Sequence, residues 1–308
     1  MYVDPASVAA FASRADTPFG SIGSLLMLGG QWNAQTVPRA YGGGWSALWL
    51  AAVIVALTGY LLLARRPRRW PGLGAAAAAG LAVAAVGSTG PGRDGLRALI
   101  AAWPGFAIVR DAQQFVAPLA LAEAVGFGLA VARVLSPGRP GRADPAGAVL
   151  AAGALLAPVL LLPGLAWGAA GRLRPAWYPA SWLATARTLD TSAAPGSVLL
   201  LPWATYRTPS WNHGEVVLNP WTRLLSGPLI WNDGTQVGSE ALAPDDPRAR
   251  RLSAAIDGAG PLTGTLRAAG VRYVVDDAEG PSAQGAARLP GTVVVISVPG
   301  LTVYQLPS

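Results

Sequence analysis

Three stretches of the chain gather side chains able to do chemistry. The first is Pro104–Phe115, where Arg110 and Asp111 sit among aromatic and apolar residues with Gln114 three positions on. Arginine offers a planar fork of donors suited to phosphate, and an adjacent carboxylate accepts from sugar hydroxyls. The plainer reading is a structural ion pair that ties this loop to the C-terminal domain. The second is Pro202–Asp233, with Trp203, Tyr206, Trp211-Asn212-His213, Glu215, Trp221 and Trp231-Asn232-Asp233. Aromatic faces beside amides and carboxylates suit carbohydrate, the ring lying on the apolar sugar face while the polar groups take its hydroxyls. Against this, tryptophans equally fill cores or pack on membrane surfaces. If this stretch is a strand, His213 and Glu215 share a face, the spacing of an acid/base pair. The third is Glu123, a carboxylate inside an apolar run, where an ionisable group is costly and points to function or to a partner such as Arg110.

Other chemistries lack their signatures. No phosphate-cradling G-x-x-x-x-G-K-[ST] loop occurs, no G-x-S-x-G nucleophile elbow and no defensible pair of hydrolase carboxylates, so no cofactor is expected. With no cysteine and one histidine, a thiolate or classical zinc site is not expected either. The net charge of +7 resembles a nucleic-acid footprint, but the arginines are scattered or stand beside apolar runs, so the expected partner is a lipid bilayer and not nucleic acid. All 23 basic residues are arginine. With the abundant Ala, Gly and Pro, this marks a GC-rich genome.

The elements that must position these groups divide the chain. Hydrophobic residues make up 52% and charged residues 13%, and mean hydropathy is +0.39, against about 25% charged residues in soluble domains. About four stretches are long enough to span hydrocarbon about 30 Å thick: 45–64, 71–87, 117–135 and 146–167. Arg65, Arg66, Arg68 and Arg69 follow the first, while Arg133, Arg139 and Arg142 mark the end of the third. Short Arg-rich loops stay in the cytoplasm. This places 1–44, 88–116 and everything after Trp167 outside, a multi-pass topology in the cell membrane. Without the weak second span the two Arg-rich loops would fall on opposite sides. Trp45, Trp49, Trp70, Trp103 and Trp167 lie near the predicted interfaces.

Residues 1–44 read as an extracytoplasmic loop, with Asp4 capping a short helix through Ser13 and Phe19–Gly30 on the membrane surface. From 168 to 308 the pattern is an extracytoplasmic α/β domain. Its strands are 197–201, 271–275 and a terminal hairpin 292–298/301–306. Helices are expected at 180–189, 247–256 and 262–269, the last closed by Gly270.

Three runs carry a family resemblance: FASRADTPFGSIGSLLMLGGQWN (11–33), FAIVRDAQQFVAPLALAEAVGFG (106–128) and PGSVLLLPWATYRTPSWNHGEVVLNPWTRLLSG (195–227). In this order, with the ending LRAAGVRYVVDD and a hairpin, they resemble actinobacterial multi-spanning proteins that look like GT-C-type glycosyltransferases, which take sugars from polyprenyl-phosphate carriers. The resemblance implies that Arg110, Asp111 and Gln114 contact carrier or phosphate, and that Trp211, Asn212, His213, Glu215, Trp231, Asn232 and Asp233 meet cell-wall glycan. Relatives often carry Lys where Gln114 stands, which weakens the phosphate role. The catalytic Asp of such enzymes usually lies in a first outer loop, and Asp4 and Asp16 sit in what resembles a later one. The chain then reads as a C-terminal part, inactive alone. Two other readings compete: a non-catalytic membrane protein with an extracytoplasmic binding or scaffold domain, and a transporter component, for which one intramembrane carboxylate is too few.

Overall fold

The computed structural model describes residues 3–38, 41–63, 71–135, 145–162, 164, 169, 171, 173–192, 196–238, 240–279 and 284–307. The arginines at 65–69 and 139–142, with Trp70 and Trp167, lie outside the described residues. The chain forms two compact units, Pro5–Arg174 and Pro175–Ser308 with Met1–Asp4.

The first unit is helical: α1 (Ser7–Ala10), α2 (Gly20–Leu26), α3 (Trp45–Leu63), α4 (Pro71–Val86), α5 (Gly90–Ala102), α6 (Ala117–Leu135) and α7 (Pro145–Leu161). Two stretches, Trp45–Leu62 and Ala112–Leu135, are long and apolar enough to cross a membrane, and they make this a membrane protein. Leu48, Ile54, Leu61 and Leu62 on α3 and Leu121 on α6 are exposed, as lipid-facing side chains must be.

Among the described residues, length and composition mark two such helices, or three if a bent pair is one span, against the about four expected. The second stretch is a helix of 16 residues that bends by 93° into α5, so the pair counts as one broken span or as a re-entrant loop. The cause is local. Thr89 is extended and its side chain accepts from the Gly92 N–H, with proline in the first turn, so a new helix starts where the old one would have continued. This amphipathic α5 lies in what the sequence presents as a loop. The fourth stretch holds an apolar helix of 17 residues, Pro145–Leu161, and 163 and 165–167 of it lie outside the described residues.

Glycines set the helix packing. A Cβ on Gly59 of α3 would overlap the Gly126 carbonyl of α6, and one on Gly126 would overlap the Ala56 carbonyl. Small residues are what allow membrane helices such close approach. Segment 19–30 is not a purely surface element: Leu25 and Met27 are fully buried while Phe19 and Ile22 stay exposed. The helix α1 has Ala6 at its N-cap position, whose side chain makes no cap hydrogen bond. The Asp4 carboxylate accepts from the Ala243 N–H, within the second unit.

The second unit holds a five-stranded mixed sheet in the order β4-β1-β7-β9-β8. The strands are β1 (Ser197–Leu201), β4 (Leu229–Ile230), β7 (Val271–Asp276), β8 (Val293–Val298) and β9 (Leu301–Gln305). β1 is parallel to both β4 and β7, while β9 is antiparallel to β7 and β8. Two small hairpins, β2 (Tyr206–Arg207) with β3 (Val217–Leu218) and β5 (Thr235–Val237) with β6 (Glu240–Leu242), decorate the loops.

β1 is buried along its whole length, as a parallel strand covered on both faces must be. Alternation sends Leu199 and Leu201 to one face. There they meet Ala249, Leu252 and Ile256 of one helix (Pro247–Asp257) and Leu266 of another (Thr263–Ala268). Val198 and Leu200 go to the other face with Trp182, Ala186 and Trp221, from helix α8 (Ala180–Asp190) and the turn Trp221–Leu224. The result is a three-layer α/β/α unit.

Candidate functional site

In the helical unit, two short 3-10 turns, Pro104–Val109 and Ala112–Val116, lead into α6. Arg110 and Asp111 stand at the joint between them. The Arg110 guanidinium lies 5.2 Å from the Phe11 ring centroid, and one nitrogen donates to Ser7 Oγ at 3.4 Å. No ion pair joins Arg110 to Asp111 or to Glu123 among the described residues. Asp111 makes no side-chain hydrogen bond there. Burial pushes its carboxyl pKa up, with the nearby Arg110 charge opposing. Gln114 is exposed and donates to the Ile108 carbonyl. What ties the loop down is Gln113, unremarked in the sequence: its amide donates to the Phe11 carbonyl at 3.1 Å and to Ser13 Oγ at 3.3 Å.

Glu123 faces inward from α6 at 7% exposure, and its Oε1 is buried without a hydrogen-bond partner. Burial pushes the pKa of the Tyr41 phenol up, and the charges of Glu123 and Asp16 add to that. The exposed indoles of Trp45 and Trp103 sit beside helix ends, where indole favours a membrane interface.

In the sheet unit, the aromatic stretch leaves the carboxyl ends of the parallel strands β1 and β4, the edge where α/β sheets commonly hold ligands. Trp182 and Trp221 stack at 4.9 Å, Trp211 meets Trp182 edge-on at 5.5 Å, and Tyr178 packs against Trp211 at 5.2 Å. Trp211 and Trp231 are both half-buried against the core layer that holds Trp182 and Trp221, so the fold brings them to one layer. Trp211 Nε1 is buried without a partner.

Their polar neighbours mostly shape their own loops. Asn212 Nδ2 donates to the Glu215 carbonyl. Asn232 accepts from the Gly234 N–H and donates to the Trp203 carbonyl. Asp233 Oδ2 accepts from the Asp246 N–H while its Oδ1 stays buried and unpartnered. Burial raises the Asp233 pKa, hydrogen bonds from backbone N–H groups oppose that, and Asp245 and Asp246 add to it. The strand-face pairing of His213 with Glu215 is a correction. His213 closes a 3-10 turn in the left-handed conformation, φ 56°, and Gly214 follows at φ 71°, so the two side chains do not share a strand face. His213 Nε2 lies 3.4 Å from the Pro175 carbonyl.

The same edge carries a buried ion pair that the sequence reading missed. Asp277, just beyond β7, is 3% exposed. Its Oδ1 lies 2.5 Å from Arg207 and its Oδ2 accepts from Trp221 Nε1 at 3.1 Å. Glu279 accepts from the backbone and hydroxyl of Ser210. The Asp276-Asp277 pair ending a β-type run was the available signal. Among the described residues, no three His, Asp or Glu side chains gather to hold a metal ion.

The fold and these sites define a membrane protein in which apolar helices are followed by a mixed α/β unit. No protein-family model matches the chain, and no curated protein matches it. Among solved structures, it is similar to the arabinofuranosyltransferase AftD from Mycobacteria, with 19% identity and a TM-score of 0.47 over 99% of this chain and 22% of that one. It is also similar to a mutant form of that enzyme, with 21% identity and a TM-score of 0.41 over 86% and 25%. The chain therefore spans no more than a quarter of the length of the structures it matches.

Proposed function

We propose that this chain is part of a GT-C-like membrane glycosyltransferase acting in cell-envelope glycan assembly. In this reading the Arg110 loop meets the phosphate of a polyprenyl-linked sugar, and the aromatic edge of the sheet unit, on the outer side of the membrane, meets acceptor glycan. The observation that carries it is the state of Arg110 and Asp111. They lie side by side at the head of a membrane-spanning helix, unpaired with each other, with the Asp111 carboxylate free of hydrogen bonds among the described residues. Such a pair offers donors to a phosphate and an acceptor to a sugar hydroxyl.

The chain is expected to transfer no sugar by itself. The deciding experiment is a binding screen of the detergent-purified chain against short polyprenyl phosphates and cell-wall oligosaccharides. Saturable phosphate binding should weaken at least about tenfold in Arg110→Ala, the loss of about 1.4 kcal/mol expected for one charge-assisted contact, and glycan binding should weaken in Trp231→Ala through the lost ring face. Absence of both bindings in a folded sample would favour the second reading, a non-catalytic protein with a scaffold domain. That reading has its own support: Asn212, Asn232 and Asp233 each make hydrogen bonds to backbone groups of the sheet unit.

A further inference from the structure

A separate cleft in the helical unit owes nothing to the Arg110 loop or the aromatic edge. The chain between α1 and α3 forms an open cleft of about 420 Å³ lined by Leu28, Val37, Pro38 and Tyr41, within the size range of small-molecule sites, about 300–1,000 Å³. Asp16, Gln31 and Thr36 supply its polar lining.

Asp16 is fixed and incompletely used. Its side chain is 1% exposed, and Oδ2 accepts from the Gly30 N–H at 2.7 Å and the Gln31 N–H at 2.9 Å. Its Oδ1 is buried with no hydrogen-bond partner. A buried acceptor left this way is unfavourable until a donor reaches it. The opposite wall is equally fixed: the Tyr41 hydroxyl donates to the Met27 carbonyl, and its ring packs edge-on against Trp49 at 4.9 Å. Gly29 allows this, since a Cβ there would stand 2.7 Å from the Tyr41 ring. Thr36 donates its proton to the Asn33 carbonyl, so its oxygen can still accept. The Gln31 amide is exposed and makes no side-chain hydrogen bond among the described residues.

We infer that this cleft is a binding site for a neutral polyhydroxylated ring of monosaccharide size, held by a hydroxyl donating to Asp16 Oδ1. Charge selects against the other classes. Arg14 Nε stands 3.8 Å from that oxygen and already offsets its charge, so a cation gains little there, and an ionised carboxylate oxygen only accepts, so it takes a hydroxyl and not the oxygens of a phosphate or carboxylate ligand. The apolar walls suit the C–H face of a sugar ring, and Gln31 and Thr36 are placed at the cleft for further hydroxyls.

The test is saturation-transfer NMR and calorimetry on the full chain in detergent, with methyl glycosides of pentoses and hexoses as probes. At least one glycoside should bind saturably. Asp16→Asn should weaken it about tenfold, the scale of one hydrogen bond to a charged group. Because Asp16 also holds two backbone N–H groups, two variants at exposed positions keep the answer clear. Gln31→Ala should weaken binding about threefold, and Thr36→Trp, which fills the cleft, should abolish it with the thermal transition unchanged. Arg110→Ala and Trp231→Ala should bind as the parent chain does. The inference is overturned if no glycoside binds, if binding survives Thr36→Trp, or if alkylammonium ions bind in place of glycosides. Binding lost in Trp231→Ala but kept in Thr36→Trp would assign the sugar to the sheet unit and overturn the cleft alone.

Discussion

At Asp277 two effects compete. Burial pushes the carboxyl pKa up, while the Arg207 charge and the hydrogen bonds from Arg207 and Trp221 oppose it. Removing one partner of a buried pair leaves the other charge uncompensated, which costs about 3–5 kcal/mol. Asp277→Ala should therefore destabilise the sheet unit by about 3 kcal/mol in chemical denaturation, and the double change Arg207→Met with Asp277→Leu should recover most of that loss. A stability of Asp277→Ala equal to the parent's would show the pair to be dispensable. Residue types were easier to read from the sequence than their uses. The richness of Trp, Asn and Asp in 202–233 is plain in the string of letters. That Asn232 serves Gly234 and Trp203, or that His213 takes a left-handed turn, depends on backbone conformations that one-dimensional spacing does not encode. Asp16 and Tyr41 escaped for a related reason: 25 positions apart, they meet only through the fold of the loop between them.

Among the elements, those with strong local signals were legible. The run SVLLL forms β1, the helix before Gly270 ends where that residue takes φ 76°, and the hairpin turns at Pro299-Gly300, with Gly300 at φ 72°. Hydropathy found the apolar helices but not their bends, because a window average does not register that Thr89 and Pro91 restart the helix. Packing between α3 and α6 depends on shape alone. Gly126→Val would drive a branched side chain into the Ala56 carbonyl, and the two helices must separate to admit it. The expected outcome is a drop of several degrees in the thermal transition of the detergent-solubilised chain, with most of the helical signal retained. Gly128→Val, two positions on where a Cβ meets nothing within 4 Å, should leave the transition in place. Equal behaviour of the two variants would remove the close-contact account.

For the whole molecule, the orientation drawn from the arginines can be tested directly, because the chain has no cysteine. Single cysteines at Arg68 and at Ser210 should react oppositely with a membrane-impermeant maleimide added to intact cells: Ser210→Cys labelled, Arg68→Cys labelled only after lysis. The reverse pattern would invert the topology and place the aromatic edge on the cytoplasmic side. The strand order β4-β1-β7-β9-β8 has a consequence for biosynthesis. β7 has β1 on one side, but its other neighbour, β9, is made after it, so the central strand waits with a bare edge while residues 277–300 are still being joined. Such non-local closure is slow, and an unpaired edge in a half-made sheet invites mispairing with another nascent chain. The ribosome therefore holds this unit in its most vulnerable state until Gln305 has emerged. A pause or premature stop within that stretch exposes the cell to an aggregating intermediate, a hazard that point changes on the finished surface would never reveal.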